Sequence, residues 1–273
     1  MQVQQLGNKA GKMLVFGGVY SNLQALEALK ARAEADQIMP EQIICTGDVV
    51  AYCAQPEECV QLVRDWGIHV IAGNVELQLA NGEVDCACDF VQGGRCDTFS
   101  KSWYPYAQQQ LSETSLEWMR QLPEFLQFNY AGKKVFVLHG SYHHTSEFIF
   151  ESTDWATKQL NFDDTHSDVI LAGHCGLPFA QSQEDNHWLN AGVIGMPAND
   201  GTPRVWYTIL EDTSGTFQYQ YHSLDYDFML AKQLMEQKGL PQAYAKTLAS
   251  GVWDNMEILP KEEEALVGQA LVI

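Results

Sequence analysis

Basic residues are scarce: 16 Lys plus Arg stand against 35 Asp plus Glu, for a formal charge of −19. Such a surface repels phosphate backbones and anionic lipid, so binding along a nucleic-acid backbone or docking on a membrane is not expected. A small phosphorylated molecule stays admissible where a metal ion reverses the local sign. Long apolar runs are also missing. None approaches the roughly 20 residues needed to cross a bilayer. The polar start, Met1 to Lys12, has no apolar signal core, so a soluble, cytoplasmic protein is expected. Low-complexity tracts and obvious repeats are absent.

What is present is a chain of 273 residues, 46% hydrophobic and 11% aromatic, enough for one large domain with an appendage but not for two equal ones. Its seven cysteines are an odd number, which fits reduced thiols better than a disulfide framework. The first half alternates short apolar strands with amphipathic stretches. Strands are expected at Met13 to Phe16, Gln42 to Thr46 and His69 to Ala72, with helices at Leu23 to Ala35 and from Pro56. Each strand runs into a polar, glycine-bearing turn, and the carboxyl ends of strands are where open α/β sheets build their sites.

A glycine- and cysteine-rich stretch follows, NGEVDCACDFVQGGRCD at 81–97, with a helical pattern from Thr98 to about Leu122. Further strands are expected at Phe125 to Tyr130, Lys134 to Leu138, Val169 to Ala172, Trp188 to Asn190, Val205 to Leu210 and Phe217 to Tyr221. The last of these have no helices between them, which implies antiparallel pairing. Asp225 to Lys238 and Pro241 to Ser250 form a helical pair, on which Tyr226, Met229, Leu230 and Leu234 make a stripe expected to pack on the core. The acidic run Lys261 to Ala265 is expected to be solvated surface.

The turns, in order, are Gly17-Gly18-Val19-Tyr20-Ser21-Asn22, Gly47-Asp48, Gly73-Asn74-Val75-Glu76, His139-Gly140 and Gly173-His174-Cys175-Gly176, followed by NAGVIGMP. Over roughly residues 13 to 210 this series resembles the calcineurin-like metallophosphoesterases of the bacterial phosphodiesterase type, whose pattern is DxHGN, GD, GNHD, HG and GHxH. The resemblance implies a four-layer αββα sandwich with mixed sheets. Residues 1–221 would form the metallophosphoesterase-like domain, with 81–97 as an insert and lid, and 222–273 a helical extension packed on it.

In that family two divalent ions share the aspartate of the second motif. Carried over, the resemblance implies that Asp48, Asn74, His139 and His174 hold one ion, with Asp48 and His139 closest to catalysis. The other ion's private ligands are gone: Gly18, Tyr20 and Gly176 stand in their places, and Val75 replaces the third-motif histidine that would serve as general acid. Losses confined to one site imply a single retained ion, and a carboxylate, an amide and two imidazoles suit Zn, Mn or Fe.

The expected function is metal-dependent hydrolysis of a phosphomonoester or phosphodiester. The alternative is a non-catalytic relative that binds a metal, a phosphorylated ligand or a protein. Tyr20, Ser21 and Asn22 are candidate phosphate contacts. His143 and His144 are at most substitutes for the lost ligands. For Cys86, Cys88 and Cys96 three readings stay open: ordinary thiols, a redox disulfide, or a second, thiolate-held metal.

Overall fold

The computed structural model describes residues 2–271, so Met1 and residues 272–273 at the outer ends of the two expected units lie outside the described residues. Two mixed sheets face each other. The five-stranded sheet has the order β11-β10-β2-β3-β4, built from β2 (Met13–Phe16), β3 (Ile43–Cys45), β4 (His69–Val70), β10 (Val205–Glu211) and β11 (Gln218–Leu224). Strands β2, β3 and β4 are parallel, whereas β10 pairs antiparallel with both β2 and β11. The six-stranded sheet has the order β1-β5-β6-β7-β9-β8, from β1 (Val3–Lys9), β5 (Phe125–Tyr130), β6 (Lys133–Val137), β7 (Val169–Ala172), β8 (Pro178–Gln183) and β9 (Asn186–Ala191). Met13, Val15 and Ile44 of one sheet meet Leu126, Val137 and Leu171 of the other in a fully buried layer. Alternation of side chains along each strand then sends Leu14, Phe16 and Cys45 outward against helices.

Helices α1 (Leu23–Ala35), α2 (Pro56–Trp66) and α3 (Asn74–Asn81) follow β2, β3 and β4 and cover the outer face of the smaller sheet. On the far side, α6 (Trp155–Thr165) packs Phe162 against Trp188 of β9. The result is the four-layer αββα sandwich with mixed sheets. The helical stretch after the insert is two helices, α4 (Arg95–Gln110) and α5 (Glu113–Arg120), because Ser112 caps the second by accepting from Ser115 N at 3.2 Å. Beyond β11, α7 (Phe228–Gln237) and α8 (Gln242–Ser250) pack on the same core through Ala231, Met235, Ala245 and Leu248.

Two surface expectations need correction. Of the expected stripe, Tyr226 and Leu234 pack partly buried against the core beside Ala231 and Met235, whereas Met229 and Leu230 lie 55% and 41% exposed. Within Lys261 to Ala265, the short α9 (Lys261–Glu264) buries Glu263, whose carboxylate accepts from Ser152 N and Oγ at 3.0 and 2.7 Å. Among the described residues no helix is long and apolar enough to cross a membrane.

Candidate metal centre

Five turns from the carboxyl ends of β2, β3, β4, β6 and β7 converge where the two sheets meet. Backbone bonds clamp them together: Gly17 N to Gly192 O at 2.8 Å, Tyr20 N to Asp48 O at 3.1 Å and Gly173 N to His139 O at 2.8 Å. Gly47, at φ +98°, lies so close to Gly73 and to His139 Nδ1 that any Cβ would collide with them. Tyr20, Ser21, Asp48 and His174 also adopt positive φ, between 52° and 60°, a concentration of backbone strain typical of a functional site.

Donor atoms of Asp48, His139 and His174 lie within 4.8 Å of one another, and all three residues are buried. His139 Nδ1 is 2.6 Å from Thr46 O, an atom that only accepts, so the ring proton sits on Nδ1. The Nε2 lone pair then faces the centre, 3.2 Å from Asp48 Oδ2 and 3.1 Å from His174 Nδ1. Asn74 Nδ2 donates to Cys86 O at 2.8 Å and to Cys88 Sγ at 3.3 Å, which fixes its amide and leaves Oδ1 buried with no hydrogen-bond partner. A buried acceptor left unpaired costs about 1–3 kcal/mol, a deficit that a coordinated cation removes. The donor set of carboxylate, amide oxygen and imidazoles therefore fits a divalent transition ion held by Asp48, Asn74, His139 and His174.

The electrostatics agree. Burial works against charge at Asp48, yet His139, His174 and the Val75 N–H hold its carboxyl below the usual value. Burial opposes protonation of His139, but Asp48 wins and raises it. His174 is pushed down to about 3 by burial and by His139, so its ring stays neutral.

Glu76 closes the third turn and ties it to the second. Its fully buried carboxylate accepts from Asp48 N at 2.8 Å, Val50 N at 3.1 Å and Gly73 N at 2.9 Å, tying the Asp48 and Asn74 turns together. Burial and nearby Asp48 push it up to about 7. The spacing Gly73-x-x-Glu76 is that of a glutamate reaching back over a helix start, a signal the sequence carried.

The remaining candidates divide. The Tyr20 ring fills the space beside Gly18, so a Cβ there would lie inside it, and Tyr20 lines the cavity over the centre. Ser21 and Asn22 do not line it. Ser21 Oγ accepts from Ala51 N at 3.2 Å, and Asn22 caps α1 while donating to Gly195 O at 3.1 Å. His143 and His144 are exposed and pair with Asp164 and Asp89, and neither belongs to the Asp48 cluster. Of the three readings left open, Cys86 and Cys88 take the disulfide, while Cys96 is separate and donates to Asn255 Oδ1 at 3.4 Å. Val75 is buried and apolar.

Walls missing from the sequence reading are Tyr52, Phe148, Tyr244 and Trp253, which close a cavity of about 80 Å³ over Asp48 and His174. Trp253 comes within 3.6 Å of where a side chain at Gly176 would begin, and Gly176 has φ +80°.

This arrangement has relatives. The uncharacterized protein MJ0912 of Methanocaldococcus jannaschii is 25% identical over 252 residues, covering 87% of this chain and 97% of its own. A crystal structure of a metallophosphoesterase from Sphaerobacter thermophilus superposes with a TM-score of 0.70 at 25% identity, covering 89% of this chain and all of that one. The hypothetical protein PH1004 from Pyrococcus horikoshii shares the fold at a TM-score of 0.74 and 16% identity, covering 89% of this chain and 99% of its own. The calcineurin-like phosphoesterase superfamily domain matches residues 13–214, and the chain belongs to that superfamily.

Proposed function

We propose that this chain is a metal-dependent phosphoesterase with a single divalent transition ion, Zn, Mn or Fe, held by Asp48, Asn74, His139 and His174. The observation that carries the proposal is the convergence of donor atoms of Asp48, His139 and His174 on one buried point, with Asn74 next to Gly73, which packs on Asp48, and its Oδ1 unpaired. When bound, such an ion supplies Lewis acidity toward a phosphoryl oxygen and acidifies water. The chain's own residues prepare the place for it. Thr46 O fixes the proton on Nδ1 of His139, Cys86 O turns the Asn74 amide, and Glu76 locks the turns that carry Asp48 and Asn74. Tyr20 occupies space beside Gly18 that a second ligand set would need, which supports one ion rather than two. The substrate class is a small phosphomonoester or phosphodiester.

A second reading, binding without turnover, is favoured by buried Val75, which offers no proton where the family places a general acid worth about 10²–10⁴ in rate. One experiment separates the two. Protein purified without a chelating tag is analysed for metal and assayed on a phosphoester panel. Activity that scales with occupancy up to one ion supports the enzyme, and full occupancy without turnover supports the binding protein. Two ions per chain sink the single-ion proposal.

A further inference from the structure

We infer that the organic group of the ligand is small, uncharged and apolar, an alkyl chain of a few carbons, and that the segment around Trp253 sets this selectivity. The inference rests on the metal-dependent reading of the same site. Its basis is what the cavity wall contains and lacks. None of the described residues lining it is Lys or Arg, and its charged members are Asp48, a ligand candidate, and Asp254. Asp254 is engaged by Arg95 at 2.5 and 2.8 Å, so the nearest guanidinium is occupied outside the cavity. A phosphoryl group therefore meets one positive centre only, and each further negative charge faces an acidic protein.

Two further polar side chains of the wall are already engaged. Thr247 Oγ1 donates to Ala243 O at 3.2 Å, and Asn255 Oδ1 accepts from Cys96 Sγ at 3.4 Å and Glu257 N at 3.2 Å. Sugar hydroxyls entering here would meet few partners, chiefly the phenol groups of Tyr20, Tyr52 and Tyr244, in a wall that is mostly apolar. Most of the remaining wall is apolar surface from Tyr52, Phe148, Val193, Met196, Trp253 and Ile258.

Size decides the rest. The cavity measures about 80 Å³. An engineered apolar cavity that accepts benzene is about 150 Å³. A short alkyl chain fits inside it, whereas a nucleoside would extend out through its open side. The indole of Trp253 is fixed by its Nε1–H bond to Pro197 O at 2.8 Å and closes the side at Gly176.

The test is calorimetric titration of the Mn²⁺-loaded full chain with inorganic phosphate, methyl-, ethyl-, propyl- and hexylphosphonate, and AMP. Each buried methylene contributes up to about fourfold in affinity. Affinity is expected to rise from methyl to propyl by about two- to fourfold per carbon and to stop rising at hexyl, with AMP at least tenfold weaker than propylphosphonate. Trp253→Ala should flatten the series, and Trp253→Phe, which keeps a ring there, should preserve its slope. A flat series on the unaltered chain, or AMP bound as tightly as propylphosphonate, overturns the inference while leaving the metal reading intact. A chain that takes up neither Mn²⁺ nor Zn²⁺ overturns both. The chain-length profile without any turnover supports the inference and removes only the hydrolytic reading.

Discussion

Tyr20 and Gly18 share one volume: the ring stands where an aspartate at 18 would have to go. Gly18→Asp alone is therefore expected to lose about 1–3 kcal/mol to overpacking in urea unfolding, with no gain of metal. Adding Tyr20→His removes the ring and should recover most of that loss, giving a coupling of similar size in a double-mutant cycle. Additive effects would mean that the ring does not fill the place. Gly176→His should stay unfavourable even in that background, since φ of +80° costs a residue with a Cβ about 1–2 kcal/mol. Glu76 makes a sharper case, because it touches no ion yet holds two ligand turns. Glu76→Gln sets an amide NH₂ against backbone donors that needed an acceptor, with an expected cost of about 1–3 kcal/mol in stability. Metal affinity should fall by about 10–100-fold, the usual effect of losing a group that orients ligands. Unchanged affinity in a folded Glu76→Gln chain would reduce it to a structural acid.

At the scale of elements, the insert and the metal site meet at Asn74. The turn around Cys86 and Cys88 supplies both partners of the Asn74 NH₂ group, and its disulfide fixes that turn. Reduction should raise the thiol count of the unfolded chain from five to seven. It should also speed amide exchange across 83–94 and weaken metal binding, because a freely rotating Asn74 presents Oδ1 only part of the time. If affinity is the same before and after reduction, the turn holds its shape without the bond. Which elements were legible follows from burial. Strands such as β2 and β7, with every residue buried, were visible as apolar runs. Strands β1 and β8 were missed because they are the two edges of the larger sheet: β1 is mostly exposed and carries glutamine and asparagine, and β8 turns polar from Gln181 and ends in exposed Ser182 and Gln183. Helix α6 escaped because its inward face includes Lys158 and Asn161, polar residues satisfied internally: Lys158 Nζ donates to Glu151 O, Thr153 O and Gln181 Oε1.

For the whole molecule, the ligand set was readable because each member follows a strand in fixed order. The walls over it were not, because Tyr244 and Trp253 reach the site from the C-terminal segment, joined to it by no motif or spacing. The acidic surface gives the final prediction its control. An ion bound only to the native state stabilises by about 2.7 kcal/mol at a concentration one hundred times its Kd. For chains of this size each kcal/mol is worth about 2–4 °C. Saturating the metal-stripped protein with Mn²⁺ or Zn²⁺ should therefore raise Tm by about 5–10 °C. With a net charge of −19, any divalent cation also gives some stabilisation by relieving surface repulsion, and that part should appear equally with Ca²⁺. The site-specific part should not: a mixed nitrogen and oxygen set disfavours Ca²⁺, and His139→Ala or His174→Ala removes a ligand from the buried cluster. If either histidine variant gains as much in Tm from Mn²⁺ as the unaltered chain, the stabilisation comes from the surface and the metal centre is wrong. A gain confined to the unaltered chain places the ion at Asp48, because the variants keep the same surface carboxylates.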